Sequence, residues 1–81
     1  MDKNEVYQKI KISSANVRFD EICKIAEMYG FMFKGGKGSH RTYARSGIIE
    51  MLNFQNVRGM AKPYQVKQLV KIIDKYRLVE E

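Results

Sequence analysis

Residues 29–47 read YGFMFKGGKGSHRTYARSG, and this stretch decides the fold. Before it, apolar residues recur every three or four positions, as they do along one face of a helix. Gly30 directly follows the last of these positions, where a glycine commonly ends a helix. Strand-forming residues then lie on both sides of the glycine-rich residues 35–38. The stretch therefore predicts the end of a helix, a strand, a tight turn and a second strand.

The segment before this stretch contains the first helix. We predict that it runs from Arg18 to Tyr29, with carboxylates in its first turn, where they favour the positive end of the helix dipole. Its apolar face consists of Phe19, Ile22, Cys23, Ala26 and Tyr29. Residues 1–17 are predicted to be an N-terminal leader with one short helical stretch, and residues 18–81 the folded domain.

The segment after it completes the fold. Ser46-Gly47 indicates a turn, Ile48 to Phe54 a third strand, and residues 55–62 an irregular connection. Pro63 then begins a second helix, in the first-turn position that proline favours. Its apolar residues keep helical spacing, and lysines recur every four positions on another face, at Lys67, Lys71 and Lys75. The predicted fold class is α+β, in the order α-β-β-β-α, with a three-stranded antiparallel sheet and both helices on one face.

Composition excludes several classes of protein. The 81 residues suffice for one domain, and 44% hydrophobic with 30% charged residues is typical of a globular chain. No apolar run approaches the ~18 residues of a membrane span, and the polar N-terminus does not resemble a secretory signal. The single cysteine, Cys23, forms no internal disulfide and has no metal-ligand spacing to His40, so we expect no metal, no cofactor and a reducing, cytoplasmic location. Its helical spacing places Cys23 in the core.

Positive charge is concentrated in the middle of the chain. The formal net charge is +6, and residues 28–73 hold eight lysines and arginines but only one carboxylate, Glu50. Such a distribution is typical of proteins that bind a phosphate backbone, and it predicts a nucleic-acid partner. Ordinary solvated lysines are the alternative.

The only histidine, His40, lies within this basic region, directly after the glycine-rich turn. Glycines let the backbone approach a ligand closely and offer N–H groups to an anion. An imidazole adds a group that takes and gives a proton near neutral pH, as cleavage of RNA at its 2′-hydroxyl requires. From spacing alone, two alternatives stay open: a histidine that only contacts phosphate, and one that merely ends a strand.

The neighbouring residues predict an RNA-binding surface around His40. Candidate phosphate-binding cations are Lys34, Lys37, Arg41 and Arg45, with Gly38, Ser39 and Tyr43 as further contacts. A half-buried position in the sheet is an equal alternative for Tyr43. For Glu50, orienting His40 and pairing with a base compete with a simple solvated position. The turn is not a Walker-type phosphate loop, because it lies between two strands and lacks the Gly-Lys-Ser/Thr ending.

The order of these motifs resembles the HicA toxins over roughly residues 18–78. The resemblance is carried by Tyr29-Gly30-Phe31 at the helix end, by residues 38–43, which read GSHRTY, and by residues 61–66, which read AKPYQV. It implies a fold like the double-stranded-RNA-binding domain and metal-independent cleavage of messenger RNA, with His40 as general acid–base. It also implies a HicB-like antitoxin protein that covers the site. Many members carry a Pro-x-His stretch on the third strand, whereas residues 52–59 here read LNFQNVRG.

Two further interpretations of the sequence belong to other functional classes. One is a non-catalytic RNA-binding domain with the same charge and fold, which would bind RNA and leave it intact. The other is an interaction module whose basic face binds an acidic protein. Our interpretation of the sequence is an RNA endonuclease toxin of the HicA type.

Overall fold

A computed structural model of the chain describes residues 2–81. Within these residues, three α-helices pack with a four-stranded antiparallel sheet, so the protein has an α+β fold. The helices are α1 (Lys3–Ile12), α2 (Phe19–Met28) and α3 (Pro63–Tyr76). The strands are β1 (Met32–Gly35), β2 (His40–Ala44), β3 (Leu52–Val57) and β4 (Met60–Ala61), and short 3₁₀ turns lie at Ser14–Asn16 and Leu78–Glu80.

Helices α2 and α3 lie where the apolar spacing predicts them. Ile22 and Ala26 on α2 are fully buried, and Gly30 adopts a left-handed φ of +87° just after the helix ends. Pro63 occupies the first turn of α3, where its missing N–H costs no intrahelical hydrogen bond. Leu69 on α3 is fully buried. The apolar face of each helix therefore determines which side meets the sheet.

The sheet has the strand order β1-β2-β3-β4, and every neighbouring pair is antiparallel. Across β2 and β3, Tyr43 lies opposite Leu52 and Arg41 opposite Phe54. Tyr43, Leu52 and Phe54 are buried beneath α2 and α3, which both contact β3. Because side chains alternate along a strand, the residues between them lie on the opposite, uncovered face of the sheet. We call this the open face.

Residues 3–17 belong to the same core as the rest of the chain. Val6 and Ile10 on α1 and Val17 after it are buried among the residues of α2 and α3. The Tyr7 hydroxyl donates a hydrogen bond to Asp74 on α3, and the Tyr29 hydroxyl donates one to the Lys3 carbonyl oxygen, at 2.7 Å. Within the predicted leader, helix α1 is thus packed against α3.

The strands after β2 differ from the prediction. The third strand begins at Leu52 and continues to Val57, so the first half of the predicted span from Ile48 lies in a loop and residues 55–57 are not irregular. A fourth short strand, β4, follows a two-residue turn at Arg58 and Gly59, whose φ angles are +54° and +87°. Positive φ at both positions is what a tight hairpin of this type requires. The prediction of three strands and two helices was therefore wrong in detail.

Candidate functional site

The turn between β1 and β2 fixes the backbone position of His40, the first residue of β2. The His40 N–H donates to the Lys37 carbonyl oxygen at 3.2 Å, which closes the turn. The Ser39 carbonyl oxygen accepts from the Asn56 N–H at 2.8 Å, which ties the turn to β3. A side chain at Gly36 has no room, because its Cβ would lie 2.1 Å from the His40 carbonyl oxygen. Gly38 adopts a left-handed φ of +63°, a conformation that glycine adopts without strain.

His40 is exposed and lies on the open face of the sheet. Its cross-strand neighbour on β3 is Gln55, and such directly opposite residues have Cβ atoms roughly 4.5–5.5 Å apart. Two residues further along β2, the Thr42 hydroxyl donates to the Asn53 side-chain oxygen at 2.8 Å. On the open face, His40 thus has the uncharged residues Gln55 and Thr42 as its nearest strand neighbours and is exposed to solvent.

The predicted lysines of the hairpin are accessible together with His40. Lys34, Lys37, Gly38 and Ser39 are all exposed. Among residues 2–81, neither lysine forms an ion pair. Two ammonium groups and an imidazole therefore lie on one short, solvent-exposed hairpin.

The Arg41 side chain is exposed, but it projects from the face of β2 opposite to that of His40. Its guanidinium carbon lies 5.7 Å from the centroid of the Phe19 ring and 5.6 Å from that of Phe33. The Tyr43 hydroxyl beside it raises the pKa of Arg41 above its usual value. The structure therefore does not place Arg41 beside His40.

Tyr43 and Arg45 are also separated from His40. Tyr43 is 1% exposed and packs in the core, and burial raises the pKa of its hydroxyl. Arg45 lies beyond the opposite end of β2 and donates to the Tyr29 carbonyl oxygen at 2.6 Å and to the Glu81 carboxylate. In this conformation the Tyr43 ring is not accessible to a base, and the Arg45 donors have protein partners.

Glu50 links the loop between β2 and β3 to the C-terminal end of α3. Its carboxylate accepts hydrogen bonds from the Lys75 ammonium and from the Tyr76 hydroxyl, both at 2.6 Å. These two partners lower the pKa of Glu50 to about 2. The carboxylate thus has partners on α3, and it lies at the end of β3 away from Gln55, the neighbour of His40.

A basic stripe on α3 was not included among the predicted site residues. Tyr64, Lys67, Gln68 and Lys71 are exposed along one side of the helix, and the Lys62 ammonium lies 5.9 Å from the centroid of the Tyr64 ring. Its helix begins beside β3, where the Gln65 side-chain oxygen accepts from the N–H of Gln55 at 2.7 Å, on the side of the sheet opposite to His40. The four-residue spacing of the lysines was the sequence signal for this surface.

The remaining nucleophilic or ligand-forming residues do not assemble into a second centre. Burial raises the pKa of the Cys23 thiol, which lies at the α2–sheet contact. In the part of the chain that the structure describes, no group of three His, Cys, Asp or Glu side chains is arranged to hold a metal ion. Likewise, no helix within residues 2–81 has the length and apolar character needed to cross a bilayer.

Comparison with known proteins adds no family assignment. The sequence matches no protein-family model, and the chain has no significant match among curated proteins or solved structures.

Proposed function

We propose that this chain is an RNA endonuclease of the HicA toxin type, with His40 as its general acid–base. In this proposal the fold is a variant of the double-stranded-RNA-binding domain, and the protein acts on messenger RNA in the cytoplasm. A HicB-like antitoxin is the proposed protein partner. The observation that carries the proposal is the exposure of the only imidazole on a short glycine-rich hairpin, together with two lysines that form no ion pair within residues 2–81.

The proposed chemistry is transfer of a phosphodiester within the RNA. The 2′-oxygen forms a bond to phosphorus, the bond from phosphorus to the 5′-oxygen breaks, and the products are a 2′,3′-cyclic phosphate and a 5′-hydroxyl. His40 carries one of the two proton transfers, and water or a lysine carries the other. Lys34 and Lys37 stabilise the negative charge that develops on the phosphorus oxygens. A single titrating side chain is consistent with a slow enzyme.

The α3 stripe supplies the rest of the attraction to RNA in this proposal. Lys62, just before the helix, and Lys67 and Lys71 on it form no ion pair within residues 2–81, and the helix begins beside β3, where Gln65 binds the Gln55 backbone. Each neutralised phosphate of a single strand contributes roughly 0.7 to the log–log salt slope. Two hairpin lysines together with Lys62, Lys67 and Lys71 therefore correspond to a slope of about −3.5.

The test is cleavage of a structured messenger by wild type, His40→Ala and His40→Gln, in the presence of a chelator. A positioned acid–base contributes about 10²–10⁴-fold in rate, so both variants should lose cleavage while keeping their fold and RNA affinity. Gln keeps hydrogen bonding but carries no proton, and it should behave like Ala. Ser46→Ala, in the exposed turn beyond the far end of β2, is the matched control and should cleave normally.

Each alternative function has its own outcome in this assay. If a folded His40 variant cuts at the wild-type rate, His40 is not the acid–base. If the wild type binds RNA with a steep salt slope but leaves it intact, the chain is a non-catalytic RNA-binding domain. A flat salt response of RNA binding would favour a basic surface for an acidic protein partner.

A further inference from the structure

A second concave surface lies on the helix side of the sheet, away from His40. It is a groove of about 390 Å³ between α2 and strands β2 and β3. Cys23 and Tyr43, which line it, are buried, while Phe19 is half-buried. The polar groups of the groove are those of Asp20, Lys24, Glu27, Arg41 and Asn56. An apolar floor with a few converging polar groups is the usual construction of a small-ligand site.

The charge of this groove does not suit a phosphate backbone. Two cations, Lys24 and Arg41, and two carboxylates, Asp20 and Glu27, line it, and Asp20 also pairs with Arg18. By contrast, the hairpin lysines and Lys67 and Lys71 of α3 form no ion pair within residues 2–81. A neutral ligand that has both hydrogen-bond donors and acceptors is the better match. A nucleobase is such a ligand.

The aromatic residues around Arg41 favour a flat ligand. Phe33 is 52% exposed although it lies on the helix side of the sheet, and it faces the Arg41 guanidinium. Arg41 forms no ion pair with any carboxylate of residues 2–81. Unpaired RNA bases are commonly stacked on aromatic rings or on arginine guanidinium planes, with their edges hydrogen-bonded by polar side chains. Phe33 supplies such a ring, and the Arg41 guanidinium lies over it at 5.6 Å from the centroid, where its donors can reach the edge of a base.

Hydrogen-bonding chemistry selects among the four bases. An arginine fork binds the O6 and N7 acceptors of guanine, which is the commonest specific contact of arginine with a base. The N1–H and the N2 amino group of the same base are donors, which a carboxylate such as Glu27 accepts. Uracil and cytosine lack the N7 acceptor, and adenine carries a donor in place of O6.

We propose that the groove lined by Phe19, Glu27 and Arg41 binds an unpaired guanine of the RNA whose backbone lies at His40. The inference rests on the proposed function and adds the base that positions the RNA for cutting. His40 and Arg41 are consecutive residues whose side chains leave opposite faces of β2, next to the short edge strand β1. A single strand that bends around this hairpin presents a phosphate to one face and a neighbouring base to the other.

The experiment measures binding of the wild-type chain to uridine 12-mers that are 2′-O-methylated to prevent cleavage. One central position carries uridine, guanosine, adenosine, inosine or 7-deazaguanosine. We expect the guanosine oligomer to bind roughly 5- to 150-fold tighter than all-uridine, which is the range for one bidentate base contact. Inosine, which lacks the N2 amino group, and 7-deazaguanosine, which lacks the N7 acceptor, should each lose part of this preference.

Protein variants assign the preference to the groove. Arg41→Met keeps a long side chain but removes its donors, and it should abolish the loss caused by 7-deazaguanosine. Glu27→Ala removes both carboxylate acceptors and should abolish the loss caused by inosine. Phe33→Ala should weaken purine binding while binding of all-uridine remains. Met32→Ala, a change of the exposed residue next to Phe33 on the other face of β1, should leave the preference unchanged.

The outcomes separate the two proposals. RNA binding without a guanosine preference overturns the groove assignment and leaves the function of His40 standing. A preference that survives both Arg41→Met and Phe33→Ala also overturns it. If no oligomer binds at all, the RNA-directed function itself falls, and the groove assignment falls with it. Should Phe33→Ala fail to fold, Arg41→Met at its exposed position decides the question.

Discussion

Replacing Gly36 by alanine should damage the site more than the fold. The added Cβ would lie 2.1 Å from the His40 carbonyl oxygen and 3.0 Å from the Arg41 Cα, and both are backbone atoms of β2. A Cβ contact essentially never lies below 3.0 Å, so the hairpin must open by about 0.9 Å. Overpacking of this kind typically costs about 1–3 kcal/mol of stability. A displacement of about 1 Å at a catalytic group lowers rates on the order of 10²-fold.

Gly47→Ala is the matched control for this change. Gly47 has a φ of +87° in the turn beyond the far end of β2, and an added Cβ would meet no atom within 4 Å. Its cost is backbone strain alone, roughly 1–2 kcal/mol. Urea unfolding should therefore show similar losses for the two variants, while single-turnover RNA cleavage should fall only for Gly36→Ala. Cleavage at the wild-type rate by Gly36→Ala would refute the view that this contact fixes His40.

Two further predictions concern stability. Leu69→Ala should lower the free energy of unfolding by about 2–5 kcal/mol, because Leu69 is fully buried. Lys71→Ala, on the exposed side of α3, should change it little. Equal losses would mean that the buried face of α3 is misassigned. The folded-state pKa of Glu50 lies near 2, below its usual value, so its pairing stabilises the fold above about pH 4.5 and this contribution disappears as the pH falls toward 2. Acid titration of thermal stability should be shallower for Glu50→Gln than for wild type, while Glu5→Gln, an equal charge change on α1, should keep the wild-type slope.

Local signals were sufficient for the helices. The apolar faces of α2 and α3, the glycine at position 30 and the proline at position 63 each act within a few residues, and the predicted ends agree with the structure to within one or two positions. The hairpin between β1 and β2 was predicted for the same reason. Its glycines favour a turn independently of the contacts made by the rest of the chain.

Contacts outside the local sequence pattern determine the structure of the segments for which the prediction was wrong. Ile48 and Ile49 have strong strand propensity, but Ile48 closes a turn onto the Arg45 carbonyl oxygen and Glu50 is held by α3. Residues 55–57 are mostly polar and resemble a loop, yet Asn56 pairs with Ser39 on one side and with Ala61 on the other. The contacts of Glu50 with α3 and of Asn56 with Ser39 join residues far apart in sequence, and such contacts override propensity.

The prediction of the site overlooked the alternation of side chains along β2. Charge and proximity in sequence grouped Arg41, Tyr43 and Arg45 with His40, although a period of two places the odd-numbered residues of β2 on the face opposite His40. The core position of Tyr43 could be predicted from the same alternation. The pairing of Arg45 with Glu81 could not, because Glu81 lies 36 residues further along the chain.

The alternation along β2 also restricts what kind of RNA the proposed site accepts. His40 faces the open side of the sheet, and Arg41 faces the groove beneath α2; β3 lies on one side of this strand and the short edge strand β1 on the other. An A-form duplex is a stiff rod that rests on one face of a protein and keeps its base edges stacked inside. It cannot place a phosphate at His40 and a base at Arg41 together. An unpaired strand bends around the hairpin and splays its bases, so both contacts become possible at neighbouring nucleotides. If both proposed contacts form, the RNA must therefore be single-stranded at the point of cleavage.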